Sequence, residues 1–262
     1  MSSTPPEIAQ ALEKLDALTR RLRVECPWDR EQDERTIVPH TLEEAYELAD
    51  AAHRRDDAKM LDELGDVLFQ VHFLSLLLEE RDAGSLADVA EHVRQKLIRR
   101  HPHIFGATEV ADAGEVLANW DAIKSTEAGR EPGIFGEVPE NLPSTLYARK
   151  VQRRTATTGF DVDAPPYDAV LGQLEQLEED AAGGDADALY ADVGDLLFAA
   201  VNVARKLKVD PELALRSSAD RFRARVEAAE RLAAADGESF NGLAMGRQLN
   251  YYAQARLREE QD

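Results

Sequence analysis

At 262 residues the chain has room for one large domain or two of ordinary size. Its formal net charge of −20 argues against nucleic-acid backbones and anionic membranes as partners, because both repel it. The single cysteine, Cys26, excludes an internal disulfide and fits a reducing cytoplasm. No apolar run approaches the roughly 20 residues of a membrane span, since Val67–Leu78 is broken by Gln70, His72 and Ser75. The polar, proline-containing start Met1–Glu7 lacks the pattern of a secretory leader.

Ile8, Leu12, Leu15, Leu18 and Leu22 recur at steps of three and four and predict an amphipathic first helix. Pro27 ends it, and CPWDREQ (Cys26–Gln32) reads as a polar loop. Thr41 is expected to start the second helix, with Thr41 and Glu44 as its capping box. A third helix runs from about Asp57 to Arg81, with Leu61, Leu64, Leu68, Val71 and Leu78 as its inward stripe and Gly84 closing it. Ser85, with Asp88 three residues on, caps a fourth helix that Pro102 stops. A fifth opens at Asp112 and runs through Lys124. Strand alternation is absent, so the class is all-α.

Two acidic clusters lie on the second and third of these helices. Glu43, Glu44 and Glu47 form one, and Asp62, Glu63 and Asp66 the other. Residues three or four apart share a helix face, so Glu44 and Glu47 project together, as do Glu63 and Asp66. Paired through the short turn at His53–Ala58, the two helices bring four carboxylates together. Unit charges about 4 Å apart repel by roughly 4 kcal/mol at an effective dielectric near 20. A hard divalent cation, Mg²⁺ or alternatively Mn²⁺, relieves that repulsion and suits all-oxygen ligation. Acids in a first helical turn also complement the macrodipole, but the second cluster lies mid-helix. It encloses Gly65, which costs about 1 kcal/mol there and suggests a close backbone approach.

Gly129, Pro132, Gly133, Gly136, Pro139 and Pro143 mark residues 125–143 as a linker between repeats at 1–124 and 144–262. Beyond it the pattern returns, because GDVLFQV at Gly65–Val71 is echoed by GDLLFAAV at Gly194–Val201. Glu63 and Asp66 then correspond to Asp192 and Asp195, 129 positions on. The leading glutamates fall on Gly172, Gln173 and Gln176, unless a three-residue slip recruits Glu175, Glu178 or Glu179. Such a slip moves a ligand almost one turn, about 5 Å, so the second repeat is expected to lack a full metal cluster. Arg221 and Arg225 are approximate counterparts of Lys96 and Arg100.

In order along the first half, CPWDREQ, TLEEAYEL (Thr41–Leu48), DELGDVLFQV (Asp62–Val71), KLIRRHPHIF (Lys96–Phe105) and NWDAIK (Asn119–Lys124) resemble blocks of the MazG family of all-α nucleoside triphosphate pyrophosphohydrolases. The resemblance implies a tandem duplication of a helical-bundle repeat. It implies cleavage of nucleoside triphosphates between the α- and β-phosphorus to nucleoside monophosphate and pyrophosphate, a nucleotide-pool housecleaning activity. It casts Glu44, Glu47, Glu63 and Asp66 as metal ligands, Glu43 as the group positioning water, and a homodimer as the assembly. It also favours Lys96 and Arg100 for the triphosphate over a purely dipole-stabilising role at a helix end. Lys59, four residues before Glu63, either reaches a phosphate or pairs with that glutamate. Trp28, Asp29 and Gln32 lie in a polar stretch suited to a ligand. Trp120 and Lys124, in NWDAIK, complete the expected substrate site, although most tryptophans are core anchors. His72 reads as a satisfied core histidine. The rival expectations are a narrower enzyme of the superfamily, acting on dUTP, dCTP or phosphoribosyl-ATP, and a non-catalytic nucleotide sensor with a structural metal.

Overall fold

The computed structural model describes residues 4–125, 127, 133–136 and 138–259, and every regular element among them is helical. The chain divides into two compact units, Met1–Ala128 and Gly129–Asp262. Of the linker expected at 125–143, positions 126, 128–132 and 137 lie outside the described residues.

The first unit opens with α1 (Pro5–Glu25), capped by a reciprocal Thr4–Glu7 box. The stretch read as a loop contains a short helix instead, α2 (Pro27–Glu31). Pro27 at its first position has φ preset for a helix and no N–H to strand. α3 spans Glu34–Arg54, seven residues longer at its start than expected. Asp33 makes that start by accepting from the backbone N–H groups of Arg35 and Thr36. Thr41 therefore caps nothing, and its hydroxyl bonds back to the Ile37 carbonyl. Pro39 sits inside α3, at a cost of roughly 3 kcal/mol that packing must offset.

Arg55 turns the chain in the left-handed region, φ 56°, and α4 (Asp57–Glu79) returns along α3. Ile37 of α3 is buried against Phe73 and Leu77 of α4, with Phe69 and Leu74 around them. Fully burying side chains of this size stabilises by roughly 1.5–3 kcal/mol each. Of the stripe expected to face inward, Leu78 is half-buried and the other four positions are exposed. Leu61, Leu64, Leu68 and Val71 are 75%, 47%, 38% and 37% exposed, and the buried side of α4 carries Glu63, Gln70, His72, Phe73, Ser75, Leu76 and Leu77. α4 is apolar on more than one face, and periodicity alone could not say which face the chain itself covers. His72 is buried but not satisfied: its Nδ1 has no hydrogen-bond partner, and the nearest charge is Asp16 at 3.9 Å. α5 (Leu86–Arg100) begins at the expected Ser85–Asp88 box, and Pro102 starts the short α6 (Pro102–Phe105). α7 spans Ala113–Ser125.

The second unit repeats the hairpin. α8 (Ser144–Ala156) packs on α10 (Ala186–Lys206), which pairs with α9 (Tyr167–Gly183) across the left-handed Gly184. α11 (Pro211–Ala235) and α12 (Met245–Glu259) enclose a core of Ala229, Ala233, Tyr251 and Ala255.

Candidate metal centre

The longer α3 moves Glu43, Glu44 and Glu47 into a helix interior, where the macrodipole gives no reason for acids. The turn at Arg55 then sets them against α4. Glu44, Glu63 and Asp66 each bring a carboxylate oxygen within 4.8 Å of the others'. Glu63 is buried, Glu44 half-buried and Asp66 exposed. Glu47 joins through an ammonium: Lys59 Nζ lies 3.3 Å from its Oε2 and hydrogen-bonds Glu63. Of the two roles open to Lys59, the structure displays the ion pair.

Electrostatics inside the group are uneven. Burial, then the charges of Asp66, Glu63 and Glu47, push the Glu44 carboxyl above the usual carboxylate range. The Lys59 hydrogen bond holds Glu63 below it. Glu63 in turn raises the Lys59 ammonium well above its ordinary value. One ammonium thus partly neutralises a set of carboxylates that repel one another. Beside them a cleft of about 530 Å³ is lined by Ala58, Lys59, Leu61, Asp62, Gly65 and Asp66. A Cβ on Gly65 would meet no atom within 4 Å, so the expected close backbone approach is absent. The missing side chain leaves the cleft wall open next to Asp66.

Glu43 is exposed and lies 3.7 Å from His40 Nδ1. His40, which the sequence reading passed over, also meets the half-exposed Trp28 edge-on, ring centres 6.0 Å apart. Its place three residues before Glu43 was the available signal. Gln32 donates its amide to the Trp28 carbonyl and Arg23 donates to the carbonyl of Asp29. Asp29 is buried, 6% exposed. Trp28 therefore presents a ring near the start of α3, while Gln32 and Asp29 are tied into the α2 turn.

The basic residues form a second group, at the end of α5 and on α7. Arg100 and Arg99 share Glu127, Arg99 Nη2 at 2.7 Å, and together they hold its carboxyl down at about 2. The Arg100 guanidinium lies 5.7 Å from the centre of the Trp120 ring, which His101 meets edge-on at 4.9 Å. Trp120 is thus an anchor for Arg100 and His101. Lys96 is half-buried one turn before Arg100, and Lys124 lies in the last turn of α7.

In the second unit Asp192 is buried, with Oδ2 unpartnered. Burial and a hydrogen bond with Asp180 raise its carboxyl, and Gln176 Nε2 donates to Asp180 Oδ2 at 2.8 Å. The α9 side chains at this point are Gln176 and Asp180, which stand 129 positions after Glu47 and Ala51. Among the described residues, Glu44, Glu63 and Asp66 are the one set of three acids grouped closely enough to hold an ion.

Comparison with known proteins accounts for this hairpin. Residues 32–105, from the end of α2 to the end of α6, match the MazG nucleotide pyrophosphohydrolase domain. A nucleoside triphosphate pyrophosphohydrolase of Escherichia coli is 36% identical over 257 residues, 95% of this chain and 98% of that protein. The chain belongs to the MazG family. A Thermotoga maritima MazG, named nucleoside triphosphate pyrophosphohydrolase/pyrophosphatase, is likewise 36% identical over 95% of this chain and 96% of its own length. Both alignments run through the two units. A Mycobacterium tuberculosis nucleoside triphosphate pyrophosphohydrolase is 32% identical over 152 residues, 46% of its length.

Proposed function

We propose that the α3–α4 hairpin is the catalytic centre of a nucleoside triphosphate pyrophosphohydrolase, releasing nucleoside monophosphate and pyrophosphate. The observation that carries this is the convergence of Glu44, Glu63 and Asp66 within 4.8 Å, mid-helix and beside an open cleft, in a MazG chain. The donor set is all carboxylate oxygen, which fits a hard cation. The Glu44 carboxyl, raised by burial and its acidic neighbours, and the Lys59 ammonium bonded to Glu47 and Glu63 support a site that takes a cation. Glu44, Glu47, Glu63 and Asp66 would hold Mg²⁺, with Mn²⁺ as the substitute. Bound there, such a cation supplies charge to triphosphate oxygens and acidifies water.

The chain's own residues do the rest. Glu43 holds the attacking water and takes its proton on a carboxylate oxygen. Lys59 presents its ammonium to the cleft beside Glu47 and Glu63, where a phosphate oxygen can replace one of them as its partner. Arg100, with Lys96 one turn before it, exchanges the Glu127 carboxylate for the departing pyrophosphate, whose charge grows as the bond breaks. Trp28 offers a face to the base, and Lys124 a further charge at the end of α7. The exposed stripe Leu61–Val71 supports a homodimer that covers it. No helix among the described residues is long and apolar enough to cross a membrane, and the reading is of a cytoplasmic enzyme that clears nucleotide pools. The second unit, where Gln176 stands at the position of Glu47, is a scaffold without a full metal cluster.

The test is incubation with Mg²⁺ and a panel of ribo- and deoxyribonucleoside triphosphates, with products identified by ion-exchange chromatography. Monophosphate plus pyrophosphate is expected. Diphosphate plus orthophosphate would place the attack at the γ-phosphorus and overturn the reading.

A further inference from the structure

One side chain of the first unit does the work of a cation within the acidic group. Lys59 hydrogen-bonds Glu63 Oε1 and lies 3.3 Å from Glu47 Oε2. Both carboxylates belong to the proposed ligand set, and they come from different helices, α3 and α4. The ammonium therefore acts across the hairpin as a bridging ion does, gathering two carboxylates around one positive charge. Its placement is defined on both sides. The Glu63 side chain is 3% exposed, and Lys59 stands four residues before it on the same helix face. Asp56 fixes the backbone at this point, accepting from the Lys59 N–H at 3.0 Å in the first turn of α4.

The second unit supplies a comparison. Aligned on the shared Gly-Asp, Glu47, Lys59 and Glu63 correspond to Gln176, Ala188 and Asp192. The lysine and the glutamate it bridges are missing together. Asp192 is buried there, and its Oδ2 has no partner. A buried carboxylate oxygen at this position of the hairpin is thus orphaned in the unit that lacks the lysine.

We propose that Lys59 is a resident counter-ion of the metal centre, its ammonium holding Glu47 and Glu63 until a divalent cation displaces it. The inference rests on the reading that these carboxylates take a cation. Displacement requires no helix to move. The Lys59 side chain is 48% exposed and lines the open cleft with Asp62 and Asp66, so it can swing out while its backbone stays capped. An ammonium and a divalent cation repel each other at short range and cannot both hold the same pair of oxygens. Lys59 accordingly sets the affinity of the centre: the cation binds more weakly than the carboxylates alone allow. By linkage the effect is reciprocal, and a bound cation loosens Lys59 by the same factor.

The test titrates the full-length protein, free of triphosphate, with Mn²⁺ and follows its tightest site by electron paramagnetic resonance. Lys59→Met keeps the length of the side chain and removes the charge. It is expected to bind Mn²⁺ about tenfold more tightly than the wild type. Without Mn²⁺ the variant should melt at a lower temperature than the wild type, because Glu47 and Glu63 lose their counter-ion, and saturating Mn²⁺ should narrow that gap. A further readout needs no substitution and decides if the variant fails to fold. In the wild type, acetylation of Lys59 by acetic anhydride, mapped by mass spectrometry, should quicken when Mn²⁺ is bound. Equal or weaker Mn²⁺ binding by folded Lys59→Met overturns the proposal, and so does a Lys59 reactivity that Mn²⁺ leaves unchanged or lowers. A wild type that binds no Mn²⁺ overturns it together with the metal centre. Equal binding by both proteins leaves the centre standing and removes only this role of Lys59.

Discussion

Glu63 is the residue on which the acidic group turns. It is the buried member, it receives the Lys59 ammonium, and its oxygen lies within reach of both Glu44 and Asp66. Glu63→Gln keeps the shape and removes the charge. It should reduce turnover by at least a hundredfold and weaken Mn²⁺ binding in an electron paramagnetic resonance titration, with the helical circular dichroism retained. Normal Mn²⁺ affinity would remove it from the ligand set. In the proposed reaction Arg100 meets the departing pyrophosphate. A charge-assisted bond to phosphate is worth roughly 1.5–3 kcal/mol, so Arg100→Ala should lower kcat/KM about ten- to a hundredfold while Mn²⁺ affinity holds. An unchanged kcat/KM would leave Arg100 as the partner of Glu127 and Trp120 only. The grouping of Glu44, Glu63 and Asp66 was legible in the sequence because helical spacing fixes which side chains share a face. His40 and Glu127 were not, because their contacts depend on where α2 and the end of α7 pack.

At the scale of the element, α3 shows what local signals missed. Thr41-x-x-Glu44 has the form of a capping box, yet Asp33 offers an equivalent cap earlier and Pro39 did not stop the helix. On α4, the Leu61–Val71 stripe has the right period and the wrong side, since the helix is apolar on more than one face. Replacing Leu64 and Leu68 together by Asp should leave helicity intact and halve the mass seen by sedimentation. A mass unaffected by the change would show that this stripe covers nothing. The α11–α12 pair carries a different signature. Tyr251 is buried and donates toward Asp236 and Glu238, 2.8 Å from each. Burial, then these carboxylates, push its hydroxyl up to about 12. A folded pKa above the unfolded value near 10 stabilises below that value, and the contribution is lost as pH rises through the folded one. The urea midpoint should fall between about pH 10 and 12 in the wild type, and fall less in Tyr251→Phe. Equal slopes would mean that Tyr251 is not titrating with unfolding.

Over the whole molecule the duplication was readable from two copies of a Gly-Asp-x-Leu-Phe pattern. What the sequence left open was the register of α9. The structure sets Asp180 against Asp192 and ties Gln176 to Asp180, and Asp180 stands 129 positions after Ala51 rather than after one of the leading glutamates. The two units have kept one helical hairpin with different contents: the Glu44, Glu63 and Asp66 group in the first and a paired Asp180–Asp192 in the second. The account assigns all hydrolysis to the first. The most direct measurement compares Glu63→Ala with Asp192→Ala in the full-length chain, following pyrophosphate release with Mg²⁺ and a triphosphate that the wild type hydrolyses, with circular dichroism on both. Loss of activity in Glu63→Ala and a near wild-type rate in Asp192→Ala are predicted. Activity that survives the first change and disappears with the second would contradict the account and put the catalytic centre in the second unit.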